Sequence, residues 1–481
     1  MTLNGWDEFP TRDGVTSPSY KLESERYKRK VIADYLTWQA DIVREYKRPD
    51  QFITHCFMPA VFDLDQLAAG RHLDIMSINV YHGSQDELTG EEIAFAGDYF
   101  RSVKQANYLI TETNAQTIGW DSKYQKPPYD GQLRMNVYAH LGSGANMVEY
   151  WHWHSIHYGQ ETYWKGILSH DLEPNRAYGE VSRTAHELEK AGSHLVNLKK
   201  KNRIAILYSH DAAWGLQFMP FADGNNIYHN RLVLPMHKAL YRMNAGVDFI
   251  FPEKCSFSNY SLVIIPSLYV ATDSLLMKIA DYVKNGGHVI LGFKSGFCNE
   301  YNAVRPVMMP GLLREVCGFR YQEFSNIPVL PLKDNPFGVK NEDNKVSDWC
   351  EFLIPESAEV VALYDHPFFG KYPAITTNRF GKGTLTYLGT NLTVPLYEAL
   401  FRREIENAGI SDPAMQLHYP LIVKSGTNDL GKQVHYFFNY SSEPHQFAYP
   451  FAKGKDLLTG ADYSRGQMAT LDSWDVLITE E

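Results

Sequence analysis

The chain has 481 residues, too many for one compact core, so two or three domains are expected. A formal net charge of -10 argues against nucleic acid or an anionic membrane as partner. Hydrophobic residues make up 44% and charged residues 21%, as in an ordinary globular protein, and the 31 Tyr, 25 Phe and 9 Trp can stack on sugar rings or fill a core.

Residues 22–46 read as one long amphipathic helix rich in Lys, Glu and Ala. Strands and helices then alternate. Residues 52–58 form the first expected strand, with a short helix near Leu64. The second strand is 73–81, with a helix around 91–104. The apolar, β-branched run 107–111 leads into Glu112, and a helix follows from about 132 to 141. The fourth strand is 146–154, and a helix from about 174 to 195 closes the series. This order implies parallel strands with right-handed crossovers. Polar and aromatic residues gather at the C-terminal ends of all four strands. That favours the C-terminal half of a (β/α)8 TIM barrel over an open four-stranded sheet.

A second α/β unit is expected from Arg203, with strands at 203–208, 247–251, 261–266, 287–293 and 383–388 and helices near 232–243 and 273–284. It reads as a doubly wound domain. From about Ala414 short strands such as 433–438 alternate with Gly, Asn and Ser turns, as in a small antiparallel β domain. The expected domains are 1–198, 199–410 and 411–481, the last a β-sandwich. The basic run Lys199-Lys200-Lys201-Asn202-Arg203 reads as a solvated linker. The five cysteines, Cys56, Cys255, Cys298, Cys317 and Cys350, are widely spaced and form no CxxC, which suits a reducing cytoplasm. No apolar run is long enough to span a membrane, and residues 1–10 are no signal peptide.

Glu112, in Tyr108-Leu-Ile-Thr-Glu-Thr-Asn114, is the most informative residue. Buried strands exclude carboxylates unless something requires them. The C-terminal end of a barrel strand is where such an enzyme keeps its chemistry. A retaining glycosidase needs one carboxylate as nucleophile and a second carboxyl group as acid/base. Glu112 suits the first role, and Tyr81 at the end of the preceding strand can donate a hydrogen bond to it. Pairing with a buried Arg or Lys would explain a lone strand-end glutamate equally well. The surroundings favour the site: Tyr150-Trp-His-Trp-His154, Gly159-Gln-Glu161 and Tyr163-Trp-Lys-Gly166 supply aromatics, carboxylates and imidazoles. Trp151 and Trp153 share one strand face, with at least one expected in the core. His152 and His154 share the other, without a second cluster to complete a metal site.

Leu109-Ile-Thr-Glu-Thr-Asn114, Trp120, Tyr150-Trp-His-Trp153, Gly159-Gln-Glu161, Gly166-Ile-Leu-Ser-His-Asp171 and Asn175-Arg-Ala-Tyr178 together resemble the β-galactosidases of glycoside hydrolase family 42. The stretch 3–10 resembles the segment just after that family's acid/base strand. The resemblance implies a retaining barrel hydrolase of β-D-galactosides. It also implies a flavodoxin-like central domain, similar to class I glutamine amidotransferases, that builds a homotrimer. Carried over by position, Glu112 matches the nucleophile, and Trp120 and Glu161 match residues that hold galactose. Trp164 stands where many members have histidine, and His170 matches a nearby histidine. The acid/base glutamate and its strand are expected upstream of Met1, with the zinc-binding cysteines of some members, so neither metal nor cofactor is expected. On that reading the 481 residues alone would hydrolyse poorly. A non-catalytic galactoside-binding or assembly protein is an alternative, and so is an α-L-arabinopyranosidase, whose sugar lacks only the hydroxymethyl group. Amidotransferase activity is rejected: in Gly292-Phe-Lys-Ser-Gly296, Lys294 occupies the nucleophile's place, and Cys298 lies just outside.

Overall fold

The computed structural model describes residues 16–59 and 63–481, with Gly5 and Glu8. Apart from those two, the stretch 3–10 lies outside the described residues.

Helix α1 (Pro18–Tyr46) starts where the Ser17 side chain accepts from the Tyr20 N–H and Pro18 sets the first turn. It buries Leu22, Glu25, Arg29, Ala33 and Ala40, and the Arg29 guanidinium lies over the Trp214 ring. Tyr27, Val31, Tyr35, Trp38 and Ile42 form an exposed apolar stripe on the opposite face. Four units follow: β1 (Cys56–Phe57), α2 (Gln66–Ala69), β2 (Ser77–Val80), α3 (Glu91–Lys104), β3 (Tyr108–Asn114), α4 (Gln132–Ser143), β4 (Ala145–Trp151) and α5 (Arg176–Leu195). The strands pair in parallel in the order β1-β2-β3-β4, as expected of four consecutive β/α barrel units. The first strand is shorter than 52–58. Ile53 N–H bonds the Asp74 carboxylate at 2.8 Å and Thr54 Oγ1 donates to the Ile75 carbonyl at 2.8 Å, so side-chain bonds replace ladder bonds there.

The central domain runs through β5 (Ile204–Leu207), α6 (His210–Phe218), α7 (Leu234–Arg242), β6 (Val247–Ile250), β7 (Leu262–Ile265), α8 (Asp273–Lys284) and β8 (His288–Gly292). Beyond α9 (Arg314–Cys317) come the short strands β9 (Phe319–Arg320), β10 (Phe324–Ser325), β11 (Val346–Glu351) and β12 (Ile354–Pro355). Then follow β13 (Glu359–Leu363), β14 (Pro373–Phe380), β15 (Gly383–Leu388), β16 (Thr390–Leu392) and α10 (Val394–Asn407). The main sheet has the order β13-β14-β15-β8-β7-β5-β6, parallel from β15 to β6 and antiparallel at the β13–β14 edge. A smaller sheet, β10-β11-β16, is attached to it.

The C-terminal part contains β17 (Leu421–Thr427), β18 (Gln433–Asn439), β19 (His445–Ala448), β20 (Lys453–Asp456), β21 (Asp462–Ser464), β22 (Met468–Leu471) and β23 (Val476–Glu480). A five-stranded antiparallel sheet, β17-β18-β23-β20-β21, and the pair β19–β22 enclose Val423, Phe437, Phe447, Tyr449, Leu471 and Leu477.

The linker reading of the basic run needs correction. Lys200 is half-buried, and its Nζ donates to the Ser425 carbonyl at 2.8 Å and to the Gly142 carbonyl. Beside it, Asp98 of α3 is buried where all three parts meet. Asp98 Oδ1 accepts from Arg101 at 3.1 Å, and Oδ2 lies 3.0 Å from His237 Nε2 on α7 and 3.6 Å from Lys424 Nζ on β17. Arg101 also donates to Asp248 at 2.6 Å and to the Val247 carbonyl at 3.1 Å, both on β6.

Candidate active site at the strand ends

Glu112 lies on β3, where Asn79 of β2 is its register partner and the next residue, Thr113, faces Tyr150 of β4. Apolar residues precede it: Tyr108, Leu109 and Ile110 are buried, while Glu112 itself is half-buried. Tyr81, the residue after β2, donates its phenolic O–H to Glu112 Oε2 at 2.7 Å. No Arg or Lys is bonded to Glu112 among the described residues, so the ion-pair account of this glutamate has no partner. Burial, the bond to Glu112 and the nearby Glu161 raise the Tyr81 phenol well above its usual range, so it remains a donor.

Behind this pair sits a neutral layer. His82 is buried, with Nδ1 2.9 Å from the Gly83 carbonyl, and burial pushes its imidazole down to about 4. It therefore adds no positive charge under the carboxylate at neutral pH.

Two loops cover the strand ends. The loop after β3 carries Trp120, whose indole is 58% exposed. The loop after β4 carries Glu161 and Trp164. It is pressed onto β4: Ile167 N–H donates to the His152 carbonyl at 2.8 Å, and Leu168 N–H to the Trp153 carbonyl at 2.9 Å. A Cβ on Gly166 would lie 2.6 Å from the His152 carbonyl oxygen, so only glycine permits this approach. Gln116 of the first loop donates to the Gly166 carbonyl and ties the loops together. Trp164 is thereby buried between the two aromatic candidates, edge-on to Tyr81 at 4.9 Å and to Trp120 at 5.5 Å between ring centroids. Its indole N–H has no hydrogen-bond partner among the described residues.

Glu161 lies within electrostatic reach of both Tyr81 and His152. Sequence reasoning gave His152 no individual role, naming it only within the aromatic and imidazole run 150–154 and as half of a doubtful metal pair. Its Nε2 is covered and has no hydrogen-bond partner among the described residues. Burial and His154 hold its imidazole below the ordinary value, and Glu161 opposes them. His152 thus joins the group by geometry. The signal for it was its place one residue past β4. His170 is exposed in the same loop, its Nε2 3.1 Å from the Thr162 carbonyl and its ring beside His157. Neither tryptophan of the strand end is core: Trp151 is half-buried and Trp153 is exposed. Glu149 is exposed on β4.

The arrangement offers a half-buried carboxylate with one fixed donor, a second carboxylate, an unpartnered indole N–H and an unpartnered imidazole nitrogen, flanked by aromatic faces. Such a set can grip a polyhydroxylated ring and attack it. In an enzyme that carries this chain together with an acid/base carboxyl group, phenylalanine in place of Tyr81 removes the phenolic donor to Glu112 without changing the ring packing. A hydrogen bond to a charged group of this kind supports a loss in kcat of about 10- to 100-fold, with the circular dichroism spectrum unchanged. Unaltered kcat would show that the bond is not used in turnover.

Two family descriptions match the chain: "Beta-galactosidase" over residues 1–191 and "Beta-galactosidase trimerisation domain" over residues 202–411. Among similar proteins, the β-galactosidase BgaA of Clostridium cellulovorans is 29% identical over 438 residues, covering 89% of this chain and 64% of that protein. The β-galactosidase LacA of Lactobacillus acidophilus is 26% identical over 493 residues, covering 99% of this chain and 72% of that protein. The β-galactosidase structure from Bacillus circulans sp. alkalophilus superposes with a TM-score of 0.89 at 22% identity, covering 100% of this chain and 72% of its own. A catalytic mutant of Gan42B, a GH42 β-galactosidase from G. stearothermophilus, gives a TM-score of 0.88 at 21% identity, covering 100% and 71%. These likenesses show the fold: barrel units, then the central α/β domain, then the antiparallel sheets.

Proposed function

The chain belongs to glycoside hydrolase family 42, the β-galactosidases, and from that premise we propose that it carries the nucleophile and much of the sugar site of a retaining β-galactosidase. The observation that supports this most is the 2.7 Å bond from Tyr81 to Glu112 at the ends of β2 and β3. In the proposed reaction a Glu112 carboxylate oxygen attacks the anomeric carbon. The bond to the leaving oxygen breaks as an acid gives that oxygen its proton. Water then attacks the resulting glycosyl ester, losing a proton to the same group, and Glu112 leaves as carboxylate. Tyr81 holds Glu112 ionised and aimed. Glu161 and the indole N–H of Trp164 take ring hydroxyls, Trp120 offers its face to the sugar, and His170 steadies the loop that carries Glu161. The acid/base role goes to no described residue, because Glu149 is exposed on its strand and Glu161 is given to the sugar.

The reading is tested with a 2-deoxy-2-fluoro-β-D-galactosyl fluoride, which traps the ester in a protein that turns over β-galactosides. Peptide mass spectrometry should place the label on Glu112, and a label on another carboxylate removes the assignment. The printed names of the relatives favour a galactoside over an α-L-arabinopyranoside. We further propose the division 1–198, 199–410 and 411–481, with the middle part forming a homotrimer, in keeping with the trimerisation description matched there. Sedimentation equilibrium at micromolar concentration should then give three times the monomer mass, and a monomer would count against it. Five free cysteines favour a reducing, cytoplasmic site of action, and among the described residues no helix is long and apolar enough to cross a membrane.

A further inference from the structure

The central domain contains a built site that the sugar chemistry does not use. At the C-terminal end of β8, where an amidotransferase-like fold carries its nucleophile, the chain turns sharply and Lys294 adopts φ +59°, in the left-handed region. That conformation is unfavourable for a side chain with a Cβ, so surrounding contacts must hold it. Two kinds of contact do so. The Lys294 N–H donates at 2.9 Å to Glu351, a fully buried carboxylate that also accepts from the Tyr387 hydroxyl at 2.7 Å. The side chain runs into a box of four aromatic rings. Its Nζ lies 3.9 Å from the Trp349 centroid, 5.3 Å from Phe297, 5.4 Å from Tyr269 and 5.4 Å from Phe324.

The rings come from four places in the chain and support one another. Trp349 on β11 stacks on Phe324 of β10 at 4.8 Å, Tyr269 stacks on Phe297 at 5.9 Å, and Phe297 meets Phe324 edge-on at 6.0 Å. An ammonium among aromatic faces is attracted to their negative quadrupoles, and such boxes select organic cations over neutral groups of the same shape. Lys294 is buried, and no carboxylate is recorded in an ion pair with its Nζ among the described residues, which leaves the rings as its recorded partners. Burial holds the Lys294 ammonium below its ordinary value, and Glu351 and Cys298 oppose that only in part.

We propose that this box is a binding site for a primary alkylammonium group, which the chain fills with its own Lys294 side chain. Filling it fixes the turn after β8 and clamps the β10-β11-β16 sheet against the end of the main sheet. It also occludes the place where a related fold would hold a nucleophile. The proposal does not depend on the glycosidase reading.

Lys294→Gly empties the box and relieves the left-handed turn, since glycine tolerates φ near +59°. The 481-residue variant should bind n-butylammonium saturably in titration calorimetry and gain thermal stability from it. The wild-type chain should not, and n-butanol, neutral and of the same length, should do neither. Adding Trp349→Leu should abolish the ammonium binding. Lys294→Met, which keeps the volume and removes the charge, should melt about 2–4 °C lower than wild type. If the glycine variant does not fold, the methionine variant decides, together with the wild-type ε-methylene protons of Lys294, which should be displaced strongly upfield by the rings. Equal binding of n-butanol and n-butylammonium, ammonium binding that survives Trp349→Leu, a methionine variant as stable as wild type, or unshifted ε-methylene protons would each overturn the proposal.

Discussion

Glutamine in place of Glu112 is expected to lower kcat on β-galactosides on the order of 10⁵-fold, as loss of a covalent nucleophile does in other double-displacement enzymes. Glutamine keeps the shape of the side chain and can still accept from Tyr81. What it loses is the negative charge that, in the proposed reaction, attacks the anomeric carbon and leaves again when water arrives. The variant belongs in an enzyme that carries this chain together with its acid/base carboxyl group, assayed with a chromogenic galactoside. Folding should be unchanged, because the half-buried carboxylate at this position has a hydroxyl partner and no ion pair among the described residues. Azide in the reaction offers a further check. With the acid/base group intact and the nucleophile gone, small anions can attack from the vacated face and give a galactosyl azide of inverted configuration. A variant that keeps more than about a hundredth of wild-type kcat would move the nucleophile elsewhere, because general acid–base assistance alone is worth about 10²–10⁴-fold.

Glu112 was legible because a carboxylate inside an apolar parallel run has to be explained, and Tyr81 because it ends the neighbouring strand. Their bond needed no information beyond strand order. The β/α alternation gave all four barrel units, since buried parallel strands are continuous apolar runs. Trp164 was placed among sugar ligands by resemblance, but its burial between Tyr81 and Trp120 depends on Gly166 lying against β4, a tertiary contact invisible to periodicity. His152 was read within the sugar-site run 150–154 but given no role of its own, because an imidazole on a strand face does not declare its neighbours. Helices α6 and α10 escaped notice in the central domain. Segment 210–218 is short, and α10 has Pro395 in its first turn, which reads as a break although Leu396, Tyr397, Leu400, Phe401 and Ile405 recur at helical spacing. The β13–β14 edge was missed for a different reason. Antiparallel strands added to a parallel sheet are fixed by their partners, and the sequence of 359–380 names none. The basic run at 199–203 was misread because a lysine is normally solvated. Lys200 is half-buried and drawn in because two carbonyls from other parts of the chain meet its Nζ.

That junction gives the second large expected effect. Asp98→Asn should destabilise the folded chain by about 3–5 kcal/mol at neutral pH, the usual cost of breaking a buried ion network by removing one charge. Asp98 is buried on α3, yet its partners lie in the other two parts: His237 on α7, Lys424 on β17, and Asp248 on β6 through Arg101. Burial alone would push its carboxyl up, but Lys424, His237 and Arg101 outweigh burial and hold it well below the usual carboxylate range. Asparagine can replace one hydrogen bond but leaves Lys424 and Arg101 short of negative charge in a desolvated place. The sign of the pH dependence follows from the depressed value. Asp98 binds its proton more weakly folded than unfolded, so its contribution is complete above the unfolded value of roughly 3.9 and fades as pH falls below it towards the folded value. Calorimetric melting of wild type and variant should therefore differ by several degrees at pH 7 and at pH 5, and the gap should narrow only in stronger acid. The three parts should also separate in the variant, with more than one melting transition where wild type shows coupled unfolding, because at Asp98 charges from all three parts meet, whereas pairs such as Arg134–Asp475 and Lys238–Glu91 join only two. A difference below about 1 kcal/mol at pH 7, or one that does not change between pH 5 and pH 2.5, would mean that apolar packing of α3 and α4 against β6 and β18 joins the parts and that the ion network is incidental.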